Sequence, residues 1–130
     1  MRTMLIVDDD PAWRGLYAAE FKPRFRLLEA SDGLEALGVL ERSRPDIIVL
    51  DLRLPRMNGL DFLRALDRLG MKTPVIVCSA LVPDDGGFSV PGVRAARKTA
   101  DLQEVRGAVD DALPEATPVA AAARPRADRR

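Results

Sequence analysis

Carboxylates in this chain collect where short apolar runs end. Asp8 and Asp9 follow Met4-Leu5-Ile6-Val7, and Asp51 follows Ile47-Ile48-Val49-Leu50. Two other polar groups sit at comparable places: Ser79 after Val75-Ile76-Val77-Cys78, and Lys98 after Val93–Arg97. Like charges gathered at one edge repel one another, so the grouping calls for a cation or a reaction. Three carboxylates offer hard oxygen ligands to Mg²⁺, which binds proteins through a few carboxylates and keeps several waters. With a divalent ion screening the cluster, one carboxylate can attack phosphorus and form an acyl phosphate. A hydroxyl at Ser79 and an ammonium at Lys98 are what phosphoryl oxygens then require.

That chemistry depends on elements that bring the run ends together. Four-residue apolar runs suit parallel strands covered on both faces. Asp10-Pro11 starts a helix that reaches about Phe21, where Pro23 stops it. Phe25 to Ala30 reads as a second strand, with Arg26 and Glu29 marking an edge position. Ser31-Asp32-Gly33 opens a second helix with Leu34, Ala36, Leu37 and Leu40 as its inward stripe, and Arg44-Pro45 ends it. Asn58-Gly59 starts a third, with Leu60, Leu63, Leu66 and Leu69 inward and Gly70 closing it. Asp101 caps a last helix carrying Leu102, Val105, Val109 and Leu113. Between Leu81 and Gly92 a helix is due, but Pro83, Gly86, Gly87 and Pro91 predict a loop instead. Strands alternating with helices predict a parallel sheet wrapped on both faces, its strand C-termini sharing one edge.

The chain of 130 residues suffices for one domain with a real core. Residues 1–113 read as that domain, and the Pro/Ala/Arg-rich stretch 114–130 as a flexible tail or linker stub. Its 20 basic and 20 acidic residues cancel, leaving no global field to attract nucleic acid or an anionic membrane. No His is present, which excludes His-based triads and His-ligated metal. The single cysteine, Cys78, lies in an apolar run and reads as a small buried hydrophobe, in keeping with a reducing cytoplasm. No segment approaches membrane-spanning length.

Taken in order, Asp8-Asp9, Arg14, Asp51 with Pro55 and Gly59, Ser79-Ala80 and Lys98 resemble the motifs of a response-regulator receiver domain of two-component signalling. The resemblance covers about residues 2 to 113. It implies a flavodoxin-like, doubly wound sheet of five parallel strands in the order 2-1-3-4-5. It also implies that Asp51 takes a phosphoryl group from a phosphohistidine on a sensor histidine kinase or phosphotransfer protein. Asp9 would bind Mg²⁺ directly, Asp8 through water, and Asp51 and the Arg53 carbonyl would complete the protein ligands. Ser79 would donate to a phosphoryl oxygen, and Lys98 would pair with the phosphate or with Asp51. The implied output is binding to a downstream protein, with only slow self-dephosphorylation as enzymology.

The pattern departs from the family on the face where members read out phosphorylation. The fourth helix is expected to be shortened or replaced by a loop, and Ser79 and Lys98 are only nineteen residues apart. Ala95 stands where an aromatic normally precedes the lysine, and Thr99 where a proline follows it. Two other readings remain open at this stage. One is a pseudo-receiver acting as a phosphorylation-independent interaction module. The other is a small haloacid-dehalogenase-like phosphatase with Asp8 as nucleophile. Against the latter, Ala12 replaces the expected Thr or Val, and Asp51 would have no role. Trp13, in the first helical turn after the acidic loop, reads as a core or rim packing residue and not as a binding platform. The Arg53 side chain reads either as surface charge or as a cover over the pocket.

Overall fold

In the computed structural model, residues 1–79 and 92–113 are described. They form five strands and four helices: β1 (Arg2–Val7), α1 (Pro11–Phe21), β2 (Phe25–Ala30), α2 (Gly33–Arg42), β3 (Ile47–Asp51), α3 (Gly59–Arg68), β4 (Val75–Ser79), β5 (Val93–Arg97) and α4 (Gln103–Ala112). The strands make one sheet in the order β2-β1-β3-β4-β5, every pairing parallel, as the sequence led one to expect. The expected loop in 81–92, apart from Gly92, and the expected tail at 114–130 lie outside the described residues.

Alternation along the strands divides the core into two layers. Met4, Ile6, Ile47, Val49, Ile76 and Cys78 face α1 and α4, meeting Tyr17, Phe21, Val105 and Val109. Leu5, Val7, Ile48, Leu50, Val75 and Val77 face α2 and α3, meeting Ala36, Leu40, Phe62 and Leu66. Successive strand side chains point to opposite faces, and both faces here are covered, so Met4–Val7 of β1, Ile47–Leu50 of β3 and Val75–Cys78 of β4 are unbroken apolar runs. The two outermost strands, β2 and β5, carry the exposed charges Arg26, Glu29, Arg94 and Arg97.

Helix starts match their sequence signals, with one exception. Asp10, Asp32 and Asn58 each accept a backbone N–H of the first turn, from Ala12, Glu35 and Asp61 respectively. At α4 the expected cap at Asp101 is displaced by one residue. Leu102 takes the cap position in a left-handed conformation (φ 56°), which buries its side chain in the core. Asp101 accepts from the Gln103 N–H at 3.0 Å and the Thr99 hydroxyl at 2.8 Å, so Thr99 takes part in the turn into the helix.

The inward stripes of α2 and α3 also need correction. Leu34, Leu60 and Leu69 are exposed, while Gly33, Ala36, Val39 and Leu40 line the inner face of α2 and Gly59, Phe62, Ala65 and Leu66 that of α3. A step of three residues falls about 60° short of a full helical turn. Four leucines spaced by three therefore fan around half the helix instead of lying in line. On α4, Leu102, Val105, Val109 and Leu113 are buried as expected.

Candidate functional site

Register brings the polar strand ends together. Val7 pairs with Leu50, so Asp8 and Asp51 leave neighbouring strands at the same level. Asp51 lies opposite Cys78, and Ser79 opposite Arg97, the residue before Lys98. One carboxylate oxygen from each of Asp8, Asp9 and Asp51 lies within 4.8 Å of the others. Asp8 and Asp51 are buried, whereas Asp9 is exposed. Lys98 Nζ stands between the two buried carboxylates, 2.9 Å from Asp8 Oδ2 and 3.2 Å from Asp51 Oδ2.

Backbone donors and a second cation hold the carboxylates in place. Asp8 Oδ1 accepts from the Asp10 N–H at 2.9 Å, and Asp51 Oδ1 from the Arg53 N–H at 3.2 Å. Arg14 Nη1 donates to the Asp8 carbonyl at 2.7 Å while its Nε pairs with Glu29 at 3.1 Å, fixing the end of β1. Ser79 sits half-buried on β4, and its carbonyl accepts from the Lys98 N–H at 2.9 Å. The Arg53 side chain is exposed; its backbone N–H is the part that meets Asp51.

Burial pushes the Asp8 pKa above the ordinary carboxylate value, with the charge of Asp51 adding to the rise and Lys98 opposing it. Burial alone disfavours the Lys98 ammonium, but the close pairing with Asp8 and the two carboxylate charges outweigh it and raise the lysine pKa. Cys78 beneath the site is driven up to about 12 by burial, which suits a core residue and not a nucleophile.

Mg²⁺ fits this donor set. The ligands are hard oxygens on three converging carboxylates, and Asp8 Oδ2 is buried with no aligned hydrogen-bond donor among the described residues, its contact to Lys98 being an ion pair.

Two contacts at the site were not signalled by the sequence. The loop after Asp51 is latched to the start of α2: Arg56, left-handed at φ 63°, places Nη2 2.6 Å and Nε 2.9 Å from Asp32 Oδ2. Asp32 therefore caps a helix and anchors the loop at once. Its pKa is lowered first by the Glu35 N–H and then by Arg56. A group whose folded pKa is depressed stabilises the protein above the unfolded value, here 3.8, and loses that contribution as pH falls through the folded value. Asp32→Asn keeps a capping oxygen but loses the charge. Its unfolding midpoint should lie below wild type at neutral pH and converge on it in acid; a gap independent of pH would show that the latch is not ionic. The second is made by Trp13, whose ring centroid lies 4.9 Å from Lys98 Nζ.

Sheet order, flanking helices and an acidic cluster at the carboxyl edge define a flavodoxin-like receiver fold. Residues 4–86 match the family model described as the response regulator receiver domain, and the chain belongs to that family. A protein-glutamate methylesterase/protein-glutamine glutaminase of Treponema denticola is 40% identical over 84 residues, a match spanning 62% of this chain but 23% of that protein. The transcriptional regulatory protein GlrR of Escherichia coli K12 is 30% identical over 119 residues, spanning 88% of this chain and 27% of the relative. The chain thus covers about a quarter of the length of these curated relatives. Among solved structures, the receiver domain of the Francisella response regulator 1452 superposes with a TM-score of 0.76 at 25% identity, covering 90% of this chain and 100% of that one. The Thermotoga maritima response regulator TrrA, solved with Mg²⁺-BeF, gives 0.76 at 23% identity, covering 87% and 100%. Among the described residues no helix is long and apolar enough to cross a membrane.

Proposed function

We propose that residues 1–113 are a cytoplasmic phosphoacceptor module, with 114–130 as its tail or linker. Asp51 takes a phosphoryl group from a phosphohistidine of a sensor kinase or phosphotransfer protein, and the product is read by a downstream protein. The observation that carries this reading is Lys98 Nζ bridging Asp8 Oδ2 and Asp51 Oδ2 at the edge where three carboxylates meet.

In the reaction, an Asp51 carboxylate oxygen bonds to phosphorus as the N–P bond of the donor imidazole breaks. The electron pair returns to that nitrogen. Asp8, Asp9, Asp51 and the Arg53 carbonyl would hold Mg²⁺, which when bound offsets the negative charge of the cluster and of the incoming phosphoryl group. Asp51 is oriented by the Arg53 N–H at Oδ1. Lys98 then pairs with the phosphoryl oxygens, and the Ser79 hydroxyl donates to one of them. Apart from slow loss of that phosphoryl group, the module has no enzymatic turnover.

Acetyl phosphate with Mg²⁺ tests the proposal by mass mapping of the label. The expected result is Mg²⁺-dependent label on Asp51. Label on Asp8 would instead support a haloacid-dehalogenase-like nucleophile. The half-buried Ala95, with no ring to report the state of Lys98, favours a second reading as a phosphorylation-independent interaction module. That reading wins if no label forms and Mg²⁺ with beryllofluoride leaves the amide spectrum around Asp51 unchanged.

A further inference from the structure

We propose that Trp13 is a positioning residue for Lys98, its ring face holding the ammonium beside Asp8 in competition with Mg²⁺. The inference deepens the phosphoacceptor reading and rests on it. Trp13 lies in the first turn of α1, half-buried against the core layer shared with α4. Tyr17, 1% exposed, backs it one turn later, with ring centroids 6.1 Å apart and planes tilted by 36°. The indole therefore has a fixed face, and Lys98 Nζ sits 4.9 Å from its centroid. The lysine side chain is only 12% exposed, so water screens this contact weakly.

Among the described residues the ammonium lies against Trp13, Asp8 and Asp51, and the latter two are the carboxylates that Mg²⁺ or a phosphoryl group would engage. The ring is the neighbour whose attraction persists when their charge is redistributed. Two cations sharing Asp8 repel one another, so whatever anchors the ammonium there weakens Mg²⁺ binding. The same anchor keeps a flexible four-carbon stem from swinging into solvent, ready to meet phosphoryl oxygens at Asp51. Loss of the ring should therefore move two readouts in opposite directions. A mere packing defect would worsen both.

Calorimetric titration with Mg²⁺ alone, and labelling by acetyl phosphate at saturating Mg²⁺, would be measured for wild type, W13F, W13L, K98M and W13L/K98M. W13L is expected to bind Mg²⁺ about three-fold tighter and to label about three-fold more slowly, the size of one cation–π contact. W13F keeps a ring face and should stay close to wild type. With Lys98 replaced by Met, adding W13L should change Mg²⁺ affinity no further. The inference is overturned if W13L matches wild type in both readouts, if W13L and W13F alike weaken Mg²⁺ binding, or if the W13L shift persists in K98M. Failure of wild type to label at Asp51 would sink the phosphoacceptor reading instead, while the Mg²⁺ titrations would still report whether Trp13 acts through Lys98.

Discussion

Asp51→Asn is expected to reduce phosphoryl uptake from acetyl phosphate to background while making the Mg²⁺-free protein more stable. The amide is nearly isosteric and can still accept the Arg53 N–H, so the end of β3 keeps its shape. What disappears is the anionic oxygen that would attack phosphorus. The gain in stability follows from the charges. Three carboxylates converge within 4.8 Å, and Lys98 bridges two of them. The Asp51 charge is among the influences raising the Asp8 pKa, so removing it relieves a repulsion that folding has to overcome. Added Mg²⁺ should then stabilise wild type more than the variant, because binding to the native state alone raises its stability. Asp8→Asn offers the contrast: the nucleophile stays, so labelling should persist but require more Mg²⁺. Thermal unfolding with and without Mg²⁺, beside mass-mapped labelling, checks both halves. Label retained by the Asp51 variant would end the assignment.

The acidic edge was legible because its signal is local: an apolar run fixes a strand, and the next residue is then at its C-terminal end. Asp8, Asp51, Ser79 and Lys98 were placed this way, and parallel pairing did the rest. The left-handed residues were not legible. Arg56 and Leu102 carry side chains that normally avoid positive φ, and they adopt it because a salt bridge to Asp32 and burial in the core outweigh the local cost. The leucines of α3 misled for a different reason. Leucine spacing suggested a stripe, but Gly59, Phe62 and Leu66 keep the 3.6-residue period of the inner face, and leucines spaced by three drift off it, leaving Leu60 and Leu69 exposed. The partnership of Trp13 with Lys98 joins residues 85 positions apart, so sequence indicated no more than a packing ring near the core or rim.

Ala95 shows how an atypical sequence coexists with an ordinary fold. Its backbone pairs in register with Val77, so losing the aromatic does not disturb β5. With Ala95 carrying only a methyl, the ring that meets Lys98 among the described residues belongs to Trp13 on α1, on the layer shared with α4.

The same substitution at two helical glycines should have opposite effects. Gly59→Ala puts a Cβ 2.7 Å from Leu52 Cα and 3.0 Å from the Asp51 carbonyl oxygen, both backbone atoms at the end of β3. They cannot yield as a side-chain tip would, because the Gly59 N–H is bonded to the Leu52 carbonyl at 3.0 Å and the loop is held further along by Arg56 and Asp32. Overpacking of this kind costs about 1–3 kcal/mol. Replacing a helical glycine returns up to about 1 kcal/mol, so the net is destabilising. At Gly107 in α4 an added Cβ meets nothing within 4 Å, and alanine there should stabilise by about 0.4–1 kcal/mol. The functional contrast should be larger than the thermodynamic one. A shift of the Asp51–Leu52 backbone misplaces the carboxylate and the Arg53 carbonyl together, and small misplacements of reacting groups are costly, so Gly59→Ala should slow labelling by about ten-fold or more. Gly107→Ala should label at the wild-type rate. Urea unfolding and acetyl phosphate labelling of the two variants separate the effects, and a Gly59→Ala protein as stable and as readily labelled as wild type would mean that the close approach of α3 to β3 does not position the acceptor.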